Sequence, residues 1–462
     1  MRRETLGLVT LLVAVVAAAQ PPGSTALRQA FLWRSLDSWS LPISQAVMMQ
    51  KDPFASVRAQ AAGVLASNVA KKRLPLLVRY MNDGEARVRE NVMLAAGRMG
   101  RPGLRLAIHG FTDSTPLVRQ AAAWAASHGG SEAFEALSGL LVKERNRAVR
   151  ETLLANLWRL EDSPWQTLAA SYARDDDVYL RRAAAFSLSR SGDQSARAGQ
   201  RLFAADPEPV IRATALRGFE KGKLDRQDLA VLRSALEDAD WRVRAGACRA
   251  LAAHDPVALS PESARNIVDF FSSPHPHLAV SAIAAAASQD RSGTAADLLR
   301  LVHGDEPWLA SEAFVALARR DVPAVVPVAK SWFESENPWR RRAAARSAAE
   351  LGPEFERRAA GDADPSVRLA WLSALDDGAT QERREVLTEL VKNDPDVAVR
   401  ANILSLLRRA GVAPGPEELI GFYAAWSRDT MPDARAESLI AAVAASKSSE
   451  DRAAIIALGP VS

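Results

Sequence analysis

The sequence predicts an all-α, right-handed α-solenoid of about thirteen short helix pairs. Three observations predict it. A Val-Arg phrase recurs at a period near 31 residues through most of the chain. Each copy opens an Ala-rich run with apolar residues three and four apart, the spacing of a helix with one buried stripe. A short turn rich in Asp and Pro precedes many of the copies.

The clearest copies are Val57-Arg58, Val88-Arg89, Val118-Arg119, Val149-Arg150, Val243-Arg244, Val367-Arg368 and Val399-Arg400. Close variants are Leu180-Arg181, Ile211-Arg212 and Arg340-Arg341, and degenerate copies fall at Leu278-Ala279, Leu309-Ala310 and Ala434-Arg435. From Arg58 the steps are 31, 30, 31, 31, 31, 32, 35, 31, 31, 27, 32 and 35. Within a repeat, the run after the Arg is helix B: Ala61, Ala62, Val64 and Leu65 in one copy, Ala183, Ala184, Phe186 and Leu188 in another. A break such as Ser191-Gly192-Asp193 follows, then a second apolar stretch, helix A of the next repeat, such as Ala230 to Leu236. The acidic turn Glu237 to Asp240 then leads to the next Val-Arg.

Asp206, Asp364 and Asp394 each precede a proline. Asp caps free N–H groups at a helix start, Pro is tolerated in the first turn, and the acid complements the helix dipole. The Val enters the core between the helices, and the Arg turns to another face. Arg58, Arg89, Arg119, Arg150, Arg181, Arg212, Arg244, Arg341, Arg368 and Arg400 are therefore expected to form a structural ladder with the turn acids.

In chain order, residues 1–24 read as a signal peptide and linker. Arg2 and Arg3 precede an apolar run from Leu6 to Ala19 that is short for a membrane span, and Ala17 to Ala19 fits the small-residue cleavage rule. Residues 25–45 read as an N-terminal capping helix, 46–446 as the solenoid, and 447–462 as a partial repeat or C-terminal cap. The pattern lapses between 255 and 345, where the ladder Arg becomes Ala279 and then Ala310. Trp308 and Trp339 hold equivalent positions at two successive B-helix starts, and Trp241 lies one residue off that slot.

The combination of a turn Asp, a Val-Arg pair and a small-residue helix resembles the HEAT repeat, over roughly residues 45–446. The period is closest to the short bacterial HEAT-like units of the phycobilisome-lyase type. The chain also resembles secreted bacterial HEAT arrays that are sometimes joined to cyclophilin-type isomerase domains. That resemblance implies an α-solenoid that binds a protein or peptide on its concave face. As alternatives it implies an accessory or chaperone-like partner of a prolyl isomerase, a nucleic-acid-binding protein, or a chromophore lyase.

With 59 cations, 55 anions and a net charge of +4, no strong nucleic-acid field is indicated, and a nucleic-acid partner is not expected. The lone cysteine, Cys248, sits in a small-residue slot of helix B and reads as a core thiol. His275 and His277 are two imidazoles in a Pro-interrupted turn, too few for a closed metal site. Asp175, Asp176 and Asp177 read as a helix-start turn. No metalloprotease, P-loop, dinucleotide or nucleophile-elbow motif occurs, so no catalytic, cofactor-binding or metal residue is nominated and no cofactor is expected. The expected function is a non-enzymatic protein-interaction scaffold, exported to the bacterial periplasm or outside the cell, with no transmembrane span in the mature chain. Trp241, Trp308, Trp339, Arg340 and Arg342 are the expected partner-binding residues, because aromatic and Arg side chains dominate interface hot spots.

Overall fold

The computed structural model describes residues 49–67, 74–257, 259–289, 294–320, 322–412 and 414–415. The expected signal segment 1–24, the capping helix 25–45, the copy at Ala434-Arg435 and the terminal segment 447–462 lie outside the described residues. Among the described residues every long element is a helix. The chain divides into two compact units, one ending at Ala253 and one beginning at His254.

The first unit contains α1 (Ala55–Ser67), α2 (Leu74–Tyr80), α3 (Ala86–Arg98), α4 (Leu104–His109), α5 (Pro116–Ser127), α6 (Phe134–Lys143) and α7 (Arg147–Ala155). It continues with α8 (Trp165–Ala170), α9 (Val178–Ser189), α10 (Gln194–Ala204), α11 (Pro209–Leu216), α12 (Arg226–Leu236) and α13 (Trp241–Ala252). Odd-numbered helices carry the Val-Arg phrase and are the B helices; even-numbered ones are the A helices. Each B helix packs on the next B helix along the stack.

The apolar spacing explains the packing. Val57, Val88, Val118, Val149, Leu180, Ile211 and Val243, each directly before its ladder Arg, are fully buried. Burial of one such side chain stabilises by roughly 1.5–3 kcal/mol. One turn on, Ala61, Ala122, Ala184, Ala215 and Ala247 are buried too. Their small volume lets neighbouring B helices approach closely. Gly97 takes this furthest, since a Cβ there would lie 2.5 Å from the Trp124 ring and 2.9 Å from the Ala125 backbone. Cys248 is fully buried in the same layer, and desolvation pushes its thiol up to about 12.

The second unit contains α14 (Pro261–Asp269), α15 (Pro276–Gln289), α16 (Ala295–Val302), α17 (Pro307–Ala318), α18 (Val322–Phe333), α19 (Pro338–Arg346) and the short α20 (Ala348–Leu351). α21 (Pro353–Ala360), α22 (Pro365–Ala374), α23 (Asp377–Glu382), α24 (Arg384–Asn393) and α25 (Val397–Arg409) follow. The B helices here are α15, α17, α19, α22 and α25, and they again pack in succession.

The turn acids fall into two classes that the sequence reading merged. The acid six residues ahead of the Arg belongs to the ladder. The residue four ahead is the N-cap of helix B. Asp364 caps as expected, accepting from the Ser366 N–H at 2.8 Å. Asp206 and Asp394 do not cap, which corrects the expectation. They hold the ladder position, accept from the N–H of Glu208 and Asp396, and receive Arg181 and Arg368 respectively. Asp396 caps α25 in place of Asp394. Asp175 and Asp177 divide the same way, Asp175 bonding the Asp177 N–H and Asp177 capping α9.

The ladder joins successive repeats. Arg89 donates from Nη1 to the Asp83 carbonyl of its own turn at 2.7 Å, and from Nε to Asp113 of the next turn at 2.7 Å. Arg58 pairs with Asp83 at 2.6 Å, Arg119 with Glu144 at 2.7 Å, Arg181 with Asp206 at 2.8 Å and Arg212 with Asp238 at 2.8 Å. Arg150 makes a looser rung, 3.8 Å from Asp175. In the second unit Arg341 pairs with Asp362 at 3.0 Å and Arg368 with Asp394 at 2.7 Å. Arg244 and Arg400 hold the carbonyls of Asp238 and Asp394, each six residues back.

At the lapse, the small replacements are buried, Ala279 at 0% and Ala310 at 5% exposure. The positions that would hold their carboxylate partners are Gly304 and Ser335. At these two rungs cation and acid are therefore missing together. The turn bond survives without the charge, because the Ser335 hydroxyl accepts from the Asn337 N–H at 3.2 Å.

Candidate interaction surface

A B helix has four faces to allot: one to its A helix, one to each of its two neighbouring B helices, and one to solvent. The solvent face starts two residues before the ladder Arg, in the first helical turn. In the first unit this position holds exposed Leu117, Tyr179 and Val210, with Tyr179 at 41%, and Ser56, Arg87, Ala148 and Arg242 in the other repeats. In the second it holds Trp308, half-buried, and Trp339, exposed at 56%. A capping bond orients each aromatic at the helix start, from the Tyr179 N–H to Asp177 and from the Trp339 N–H to Asn337. Both rings are covered on one side by arginine. Arg147 lies 4.3 Å from the Tyr179 centroid, and Arg342 lies 4.8 Å from the Trp339 centroid.

The sequence-nominated residues are distributed as follows. Trp308 and Trp339 begin α17 and α19, which pack against one another. Arg340 is exposed beside Trp339, and Arg342 is committed to stacking on it. Arg341 is occupied by the ladder. Trp241 starts α13 in the other unit, half-buried, with Arg242 stacked at 4.9 Å. Trp165, Trp332 and Trp371 are core residues. Sequence reasoning missed the aliphatic and tyrosyl members of the row; the signal available was the offset of two from the ladder Arg.

Around Tyr179 the B-helix face forms an open groove of about 360 Å³, lined by Glu151, Thr152, Arg182, Phe186 and Thr214. A groove of about 640 Å³ opens between α4 and α6 on the A-helix side, and the engaged Arg119–Glu144 rung lines it. Among the described residues no group of three His, Cys, Asp or Glu side chains is placed to hold a metal ion. His275 and His277 are exposed at the start of α15. Among the described residues no helix is long and apolar enough to cross a membrane. The surface offers stacking, apolar contact and cationic hydrogen-bond donors, which are the elements of recognition.

Stacked helix pairs joined edge to edge by an Arg–carboxylate ladder define an α-solenoid. Residues 46–127 and 198–288 match the HEAT repeats family. A search of curated proteins found no match to this sequence. Among solved structures, the chain is similar to the one reported for Kap95p binding and the switch loops of RanGDP. The identity is 13% and the TM-score 0.54, with 98% of this chain and 73% of that chain covered. Importin beta aligns at 13% identity and a TM-score of 0.43, covering 94% of this chain and 64% of that one. The CpcE–CpcF phycocyanin lyase complex of Nostoc sp. PCC7120 aligns at 17% identity and a TM-score of 0.30, covering 46% and 88%.

Proposed function

We propose that this chain is a non-enzymatic scaffold that binds a protein or peptide on the exposed side of its B helices. The observation that carries this is the set of large apolar and aromatic residues at one B-helix register in five of the twelve described repeats, exposed Leu117, Tyr179 and Val210 in one unit and half-buried Trp308 and exposed Trp339 in the other. Exposed apolar groups in register along a stack mark a contact surface more strongly than scattered ones do. Ala and Gly at the B–B contacts shorten the spacing on this side, so we take it as the concave side, the usual binding side of a solenoid. The similar Kap95p fold is one whose partner, RanGDP, is a protein. The expected signal at residues 1–24 supports a location in the bacterial cell envelope.

A photo-crosslinking residue at Tyr179 or Trp339 tests the face, with Val142 and Val386 on A helices as comparison sites. Strong crosslinks from the B-helix sites alone are expected. Equal yields from both sides would overturn the assignment. Fractionation of the native host with N-terminal sequencing tests export; an intact Met1 in the cytoplasmic fraction would overturn that part.

A further inference from the structure

Nine residues after the ladder Arg, at the C-terminal end of the B helix, five successive repeats of the first unit carry Arg98, His128, Arg159, Arg190 and Lys221. The steps between them are 30, 31, 31 and 31 residues. A cation at a helix C-terminus complements the helix dipole, so any single member has a local explanation. The row as a whole does not. Arg159 and Arg190, from successive repeats, flank the same indole, at 4.3 and 4.5 Å from the Trp158 centroid. Among the described residues, no carboxylate lies within ion-pair distance of Arg98, Arg159, Arg190 or Lys221.

The second unit shows what this register does when it serves stability alone. There the equivalent residues include Arg319, Glu350, Asp377 and Arg409, of mixed sign. Neighbours pair, Arg319 with Glu350 at 3.8 Å and Arg409 with Asp377 at 2.7 Å. Side chains at this position thus reach the next repeat. In the first unit the same reach brings Arg159 and Arg190 together, while Lys221 Nζ donates to the Arg190 carbonyl at 2.9 Å. Burial, and then the Arg190 charge, lower the Arg159 pKa from its ordinary value. Self-repulsion of this kind destabilises a fold unless an anion relieves it.

We propose that this row is a docking track for an extended acidic polypeptide segment with Asp or Glu at every third residue and proline between. The proposal rests on the peptide-scaffold reading above. Packed helices lie about 8–10 Å apart, which sets the spacing of the cations. A polyproline-II segment advances about 3.1 Å per residue with three residues per turn, so every third side chain recurs on one face at about 9.3 Å. Charge and spacing then match in register, and stacking on Trp158 holds the Arg159 and Arg190 guanidiniums in place for the carboxylates. Duplex nucleic acid fits poorly, because one charge per about 1.7 Å of axis would leave most phosphates unmatched by Arg98, Arg159, Arg190 and Lys221, while burial lowers the His128 pKa and leaves that member neutral.

The test uses the full chain and fluorescein-labelled synthetic peptides, read by anisotropy. The probes are (Asp-Pro-Pro) repeated five times, a block isomer with all five Asp adjacent, the Asn analogue, and a single-stranded oligonucleotide. Preference for the every-third peptide is expected. Arg159→Gln with Arg190→Gln should weaken it by roughly 10- to 100-fold, since each lost charge-assisted bond is a large share of such an affinity. Arg319→Gln in the second unit should leave it unchanged. Because the double variant removes repulsion, its melting temperature should hold or rise. Arg190→Glu should in turn gain affinity for (Lys-Pro-Pro) repeats. Equal binding of the block isomer, tighter binding of the oligonucleotide, or an unchanged affinity in the double variant would each overturn the proposal. Crosslinks from Tyr179 that persist in the double variant would sink the track while sparing the scaffold reading.

Discussion

Arg368 is the most informative side chain to remove. Its Nε and Nη2 reach Asp394 at 2.7 and 2.8 Å, and its Nη1 reaches the carbonyls of Asp362 at 2.7 Å and Ala363 at 3.2 Å. The side chains of Arg368 and Asp394 are only 7% and 2% exposed. An exposed ion pair contributes about 0–1 kcal/mol, whereas removing one partner of a buried pair costs about 3–5 kcal/mol, because the other charge is left desolvated. Arg368→Met keeps most of the stem volume, and Asp394 retains only its bond from the Asp396 N–H at 2.8 Å. The single variant should therefore lose about 3–5 kcal/mol in urea unfolding followed by circular dichroism, with hydrogen exchange rising first in α22 and α25. Arg368→Met with Asp394→Asn removes both charges while keeping an acceptor for the turn, and should recover more than half of the loss. A single-variant loss under about 1 kcal/mol, or a double variant no better than the single, would refute the reasoning.

Other outcomes follow from the same geometry. Arg89 and Arg119, by their hydrogen bonds, hold Asp113 and Glu144 below the ordinary carboxylate range. A depressed folded pKa gives stability that is present above the unfolded value and lost as pH falls through the folded one. The urea midpoint should therefore drop below about pH 4, and Asp113→Asn should flatten that acid limb. Gly97→Ala should cost about 1–3 kcal/mol in thermal melts through its clash with Trp124 and Ala125; an unchanged melting temperature would mean these helices are less closely packed. Cys248 should react with a thiol reagent only at the rate of unfolding, since it is fully buried with its pKa at about 12; rapid labelling of the native protein would contradict its placement. Trp339→Ala should change stability by no more than about 0.5 kcal/mol, and Trp371→Ala, buried at 1% exposure, should lose about 3–5 kcal/mol.

The architecture was legible because each repeat states it again. Val before Arg, small residues one turn on, and an acidic turn before both are local features, and local features that recur at one period leave little choice of fold. The existence of B helices, the burial of Val243 and Val367, and the core position of Cys248 all follow from that periodicity. The split of the turn acids was less legible. Asp206 and Asp364 both precede proline, yet one ties two repeats together and the other caps a helix. Only their distances from the following Arg, six and four residues, separate them. The buried set of Arg197, Gln200 and Asp228 was not legible at all. These residues sit on ordinary-looking A helices; Arg197 donates to Gln200 within α10, but reaches the Gly218 carbonyl only after α10 meets the chain beyond α11.

Alone, the sequence determined the repeat, its period, the buried stripe and the register of the ladder, because each depends on residues within one or two helical turns. The tertiary structure alone decided which charges are partnered. It placed eight of the ladder Arg residues against the next repeat's acid, showed that Ala279 and Ala310 lose their cations together with the acids those cations would meet, and gathered Arg159 and Arg190 around one tryptophan. Charge pairing depends on distances between repeats some 31 residues apart in the chain, and such distances exist only once the helices have stacked.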